Sequence, residues 1–137
     1  MNDQLGGKTR ILLRDFITSF EMLEVLLLLR ATAAQSWTVR AVSDHTHIAE
    51  DLIARALASL EAHRFIEAGE SGGKGSFRYR PGTEDLAAAA DELAADFAER
   101  RAAVLSTLST NAIERLRSGA INAFADAFVL GRKHKDG

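Results

Sequence analysis

The sequence contains no cysteine, which excludes disulfide cross-links, a cysteine nucleophile and any thiolate metal site. Long apolar runs are missing too. The most apolar stretch, residues 25–29 with Met22 and Leu23 just before it, falls far short of the roughly 20 residues that span a bilayer. Residues 1–10 are polar and lack the apolar segment of a secretory signal. Positive charge is not in excess either: the net charge is −2. A dedicated non-specific nucleic-acid binder draws its affinity from phosphate neutralisation and is usually basic, so any nucleic-acid contact here has to come from a local surface. Catalytic signatures are absent as well. The glycines between 69 and 76 do not follow the order G-x-x-x-x-G-K-[ST], and nothing resembles a nucleophile elbow or a paired acid–base set. The chain is therefore expected to be no enzyme, to need no cofactor or metal, to stay out of the membrane and to reside in a reducing cytoplasm.

What is present is an ordinary globular composition, 47% hydrophobic and 26% charged over 137 residues, enough for one domain with its own core and an appendage. Residues 1–9 read as a loose tail with a flexible point at Gly6-Gly7, and Ile11, Leu12, Leu13, Phe16 and Ile17 as a separate N-terminal helix. Thr18-Ser19-Phe20-Glu21 fits a capping box, a hydroxyl followed three residues later by Glu. The helix after it carries Met22, Leu23, Leu26, Leu27 and Leu29 on more than one face, as a central core helix does. Trp37 marks a short strand and Thr38 caps a short helix over 39–45. A turn at Thr46-His47-Ile48 leads to a helix over 49–63, whose Ile53, Leu57 and Leu60 form one inward stripe. Residues 65–68 and 77–80 read as two strands joined by a glycine-rich loop, stopped by Pro81-Gly82.

The remainder is predicted helical. Thr83 caps it, and Glu84 and Asp85 complement the helix dipole. Leu86, Leu93, Phe97, Val104 and Leu108 form a near-heptad stripe on one long helix. Asn111 reads as a second helix start and Gly119 as a break. Ile121, Phe124 and Phe128 recur at helical spacing, before the basic tail Arg132-Lys133-His134-Lys135. Three segments result: a tail and helix over 1–18, a central unit over 19–81 and a helical arm over 82–137.

The central order of helix, short strand, helix, turn, helix and hairpin resembles the winged helix-turn-helix of MarR-like and PadR-like regulators. Residues 38–48 resemble the first helix and turn of that motif. Residues 57–66 resemble the end of its recognition helix and the first wing strand, and residues 77–80 the second wing strand. The family usually has a glycine in the turn and another ending the recognition helix; this chain has His47 and Arg64 there. The resemblance implies a mainly α fold with a small β-hairpin and C-terminal dimerisation helices, and a dimeric regulator of transcription that binds double-stranded DNA.

In such proteins the second helix of the motif enters the major groove. Arg55 lies on its outward face and is the candidate for base contact. Arg40 on the preceding helix, and Lys74, Arg78 and Arg80 on the hairpin, are candidates for phosphate. Glu50 and Asp51 open the recognition helix. They can accept from cytosine N4, or simply complement the helix dipole. Residues 36–81 hold six basic and six acidic side chains, which leaves a second reading open: a winged-helix module that docks a protein partner and does not bind DNA. Asp44, His45, His47, Glu50 and Asp51 are the only cluster with metal-ligand chemistry, but they straddle a turn and a helix start, where such residues are common. For the arm, Leu93, Phe97, Val104, Leu108, Ile121, Phe124 and Phe128 are expected to pair two chains about a twofold axis; the alternative is an intramolecular helical hairpin.

Overall fold

The computed structural model describes residues 4–69 and 75–136. Its elements, in chain order, are α1 (Gly7–Asp15), α2 (Phe20–Ala31), β1 (Trp37–Thr38), α3 (Val39–Thr46), α4 (Glu50–Ala62), β2 (Ile66–Gly69), β3 (Ser76–Tyr79), α5 (Glu84–Glu99) and α6 (Arg101–Asp136). The chain is mainly helical with one small antiparallel sheet of order β1-β3-β2, an architecture compatible with a winged helix. No helix among the described residues is long and apolar enough to cross a membrane.

Helix α2 is the axis of the core. Met22, Leu23, Val25, Leu26 and Leu29 are all buried, because apolar side chains surround the helix and neighbours cover it on several sides. Ile53, Ala56, Leu57 and Leu60 of α4 pack on one flank, at the i, i+3, i+4, i+7 spacing that puts them on one face. Val42 of α3 and Phe65 and Ile66 at the entry to β2 close that side. Strand β3 lies in the middle of the sheet, pairing Phe77 with Trp37 on one edge and with Ala68 on the other. The same core continues into the flanking segments through Leu12 and Leu13 of α1, Ala89, Ala90 and Leu93 of α5, and Val104 and Leu108 of α6.

Side-chain caps explain the starts of α2, α3 and α5. Thr38 accepts from the Ala41 N–H at 3.1 Å and Thr83 from the Leu86 N–H at 3.1 Å, which satisfies donors that have no partner within the helix. At α2 the cap is one residue later than the pattern suggests. Ser19, not Thr18, accepts from the Met22 N–H, at 3.2 Å, so the hydroxyl-to-Glu21 spacing of a capping box is not used. His47 and Arg64 both take left-handed backbone angles, φ 62° and 67°. The first ends α3, its N–H donating to the Ser43 carbonyl at 2.8 Å; the second turns the chain from α4 into β2. Both are conformations that glycine adopts without steric cost.

Three expectations are corrected. Residues 4–9 are not a loose tail: α1 begins at Gly7, and Leu5 and Thr9 are buried. The C-terminal arm is not one helix up to Asn111. It breaks at Arg100, which takes φ −133°, and α6 then runs on through both Asn111 and Gly119. Asn111 has a different task, donating from Nδ2 to the Leu13 carbonyl at 3.1 Å and so tying α6 to the end of α1.

Candidate nucleic-acid interface

Burying Ile53, Leu57 and Leu60 leaves the opposite side of α4 in solvent. That side presents Glu50, Asp51, Ala54, Arg55, Ala58, Glu61 and Ala62. Arg55 stands at its middle, where the periodicity predicts. Beside it runs a shallow cleft of about 300 Å³ towards Ser19 and Glu21 at the start of α2. Arg40 is exposed in the first turn of α3. Glu50 and Asp51 are exposed in the first turn of α4, whose N-cap, Ala49, has no side chain able to accept from the orphan N–H groups. The two carboxylates therefore complement the positive helix terminus, and they make this end of α4 acidic.

The hairpin departs from a simple basic wing. Glu67 faces Arg78 across the β2–β3 ladder, and its carboxylate lies 3.6 Å from Arg78 and 3.7 Å from Arg80. Residues two apart on a strand share a face, so both arginines turn to the same acid. These are long, exposed ion pairs, of the kind worth at most about 1 kcal/mol. Lys74 lies outside the described residues. Sequence reading placed Arg78 and Arg80 on one face correctly but missed Glu67 as their shared partner, since strand register is set by the tertiary pairing.

The suggested metal ligands do not converge: no group of three or more His, Asp or Glu side chains suited to a metal occurs among the described residues. His45 instead meets the Trp37 ring edge-on at 5.5 Å between centroids, and the Trp37 indole N–H donates to Thr32 Oγ1 at 2.9 Å. Tyr79, on β3, has a buried hydroxyl with no hydrogen-bond partner among the described residues. Burial, helped by the nearby Asp91 carboxylate, pushes its ionisation above the usual tyrosine range.

No known protein family matches the chain, and comparison with curated proteins and with solved structures finds no match. Function therefore has to be argued from the residues.

For the residues expected to pair two chains, the structure divides the set. Leu93 and Val104 are fully buried and Leu108 nearly so, all inside this chain's own core. They are corrected from interface to core. Phe97 is half-buried, with the Arg101 guanidinium 4.5 Å above its ring. Ile121 and Phe124 are exposed. The side chain of Phe128 lies outside the described residues.

A polar cluster that sequence reading did not find joins the start of α1 to α5. Asp96 of α5 is buried; it accepts from the Gly6 N–H at 3.0 Å and from the Thr9 hydroxyl at 2.6 Å, and pairs with Arg100 at 3.0 Å. Glu92, one turn earlier, accepts from the Thr9 N–H at 2.8 Å. Gly6, the N-cap of α1, has no side chain to cap with, so α5 supplies two carboxylates to the helix start from outside. A Cβ at position 6 would run into the Glu92 carboxylate, so a larger residue there would displace that side chain.

Proposed function

We propose that this chain is a cytoplasmic winged helix-turn-helix protein that binds double-stranded DNA and regulates transcription. The observation that carries this reading is the order α2-β1-α3-α4-β2-β3 on a sheet of order β1-β3-β2, with α4 buried on one face and its other face open around Arg55. In that arrangement α4 enters the major groove and Arg55 reads a base edge. Arg40 holds a phosphate from the first turn of α3. Arg78 and Arg80 exchange Glu67 for phosphate oxygens, a change made cheap by the length and exposure of their ion pairs. Lys74 on the intervening loop would add a further phosphate contact.

A second reading is favoured by one specific observation. The open face of α4 carries Glu50, Asp51 and Glu61 against Arg55 alone, and such a face suits a basic protein partner better than phosphates.

Fluorescence anisotropy separates the two. The protein is titrated with DNA from upstream of its own coding sequence and with scrambled DNA, at low and at physiological salt. For the DNA reading, the upstream fragment binds more tightly at physiological salt. Arg55→Ala then relaxes sequence preference, while Arg78→Ala weakens binding to every sequence and lowers the salt slope by about one. Absence of binding even at low salt, where phosphate contacts are strongest, rejects the DNA reading in favour of the protein-docking one.

A further inference from the structure

Past Asn111, helix α6 overhangs the end of α1. Val104, Leu108 and Asn111 follow one another at i, i+4 and i+7 and face the domain: Val104 and Leu108 are buried, and Asn111 reaches the Leu13 carbonyl at 3.1 Å. Continued at the same helical spacing, that side passes through Arg115, Ser118 and Asn122, all polar and exposed. The exposed apolar side chains of this stretch, Ile113, Leu116 and Phe124, lie on the opposite side of the helix. Helix α1 ends at Asp15 while α6 continues to Asp136, so the core-facing side of α6 meets a notch there. Arg14 of α1 and Arg115, Ser118, Gly119 and Asn122 of α6 line this cleft of about 420 Å³.

Two features of the cleft have no use within the chain. The first is charge. Arg115 has no ion-pair partner among the described residues, whereas Glu114, also at the cleft, is held by Arg117 at 3.6 Å. Arg14 donates through Nε and one amino group to its neighbour Asp15, at 3.1 and 2.9 Å. That exposed pair holds the arginine only weakly, and the second amino group is left to donate elsewhere. The other feature is Gly119. It lies inside a helix, where glycine's backbone freedom makes it a poor former. Neither a left-handed φ nor a close neighbour calls for it: a Cβ there would meet nothing within 4 Å among the described residues. Its missing side chain leaves bare backbone on the α6 wall of the cleft. The volume falls in the range of about 300–1,000 Å³ usual for small-ligand sites. Two guanidinium groups from different helices, with a hydroxyl and an amide, make a donor-rich wall. Such a wall suits carboxylate or phosphate oxygens, which arginine grips in pairs. The Asn111 bond to Leu13 fixes α6 on α1 directly before Arg14, so the helices carrying the two arginines are set relative to each other.

We propose that this cleft binds a small organic anion. Its carboxylate or phosphate is held by Arg14 and Arg115, with Ser118 and Asn122 beside them, and its body lies against the bare backbone at Gly119. The site shares no residue with the open face of α4, and its test uses no DNA. The full chain, isotope-labelled, is titrated at low ionic strength with pyrophosphate and, separately, with citrate, while backbone amide shifts are followed by NMR. At least one probe should bind saturably, with a dissociation constant of about 1 mM or tighter, and the shifts should centre on residues 13–15 and 111–122. The tighter probe names the head group, phosphate or carboxylate. Arg115→Gln and Arg14→Gln should each weaken binding by at least about tenfold. Lys8→Gln, exposed and earlier on α1, should leave it unchanged. Gly119→Ala should weaken binding while raising the helical signal in circular dichroism, a combination that a purely structural glycine would not give. Trp37, the only tryptophan, reports through its fluorescence melt that each variant is folded. No saturable binding of either probe overturns the proposal. So does binding that survives both arginine changes, or that Lys8→Gln weakens equally, since either marks diffuse charge attraction. A Gly119→Ala chain that binds as tightly as the wild type overturns it too, because the ligand then does not lie against α6 at that point.

Discussion

Two pairs of carboxylates stand at helix starts in this protein, and they do different work. Glu50 and Asp51 lie in the first turn of their own helix, α4, and are exposed. Glu92 and Asp96 belong to α5 but serve the start of α1, more than 80 residues earlier in the chain. The first pair is available to a ligand. The second is used up: Asp96 is buried, with an N–H, a hydroxyl and a guanidinium around it. The same residue type thus serves as surface in one place and as a joint between distant helices in the other, and burial together with the number of donors decides which. Sequence position alone gives no hint of this, because both pairs sit in helical stretches of ordinary polarity.

Mutations can break or sharpen this contrast. The largest effect is expected at the joint. Asp96→Ala strands the Thr9 hydroxyl and the Gly6 N–H and removes the ion pair with Arg100, so denaturant unfolding should show a loss of about 2–4 kcal/mol. A loss below 0.5 kcal/mol, a limit set at about the scale of ordinary surface changes, would place the joint with the exposed carboxylates. An intermediate effect tests local capping: Ser19→Ala should cost about 1 kcal/mol and Thr18→Ala much less, measured in the same assay. At the exposed pair, Glu50→Gln with Asp51→Asn should change stability by only a few tenths of a kcal/mol, while tightening DNA binding in the anisotropy titration if α4 meets phosphate. Unchanged or weaker DNA binding would show that these acids are not a simple electrostatic burden on the interface.

The smallest effect concerns pH. The Tyr79 ionisation is raised in the folded protein, mainly by burial. The folded state therefore holds this proton more tightly than the unfolded chain does. The resulting stability is complete below the ordinary tyrosine value of about 10 and is lost as pH rises through the higher folded value. Thermal melts should fall on the alkaline side, and Tyr79→Phe should remove that part of the fall. Tyr79 is the only tyrosine, so its phenolate absorbance follows the titration directly. An ordinary midpoint would contradict the burial of its hydroxyl.

The outline of the central unit was legible because its signals are local. The stripe of Ile53, Leu57 and Leu60 and the Thr38 and Thr83 caps each depend on residues within a turn or two. The same locality misled at the arm. Leu86, Leu93, Phe97, Val104 and Leu108 satisfy a heptad pattern, yet the chain breaks at Arg100, where the side chain turns back to Asp96, and most of the stripe is covered by α1, α2 and their neighbours. A periodic apolar line shows that a helix buries something; it does not say whether the cover is the same chain or another.

The sequence by itself determined the order of elements from α1 to β3, the outward placement of Arg55 and the exclusion of thiol chemistry, since helical periodicity, capping and composition act over short distances. Only the tertiary structure decided that Glu67 takes both Arg78 and Arg80, that α5 caps α1, and that the two halves of α6 face opposite ways. Each of these depends on which surfaces meet across long chain separations, and that is set by the packing of the whole core around α2.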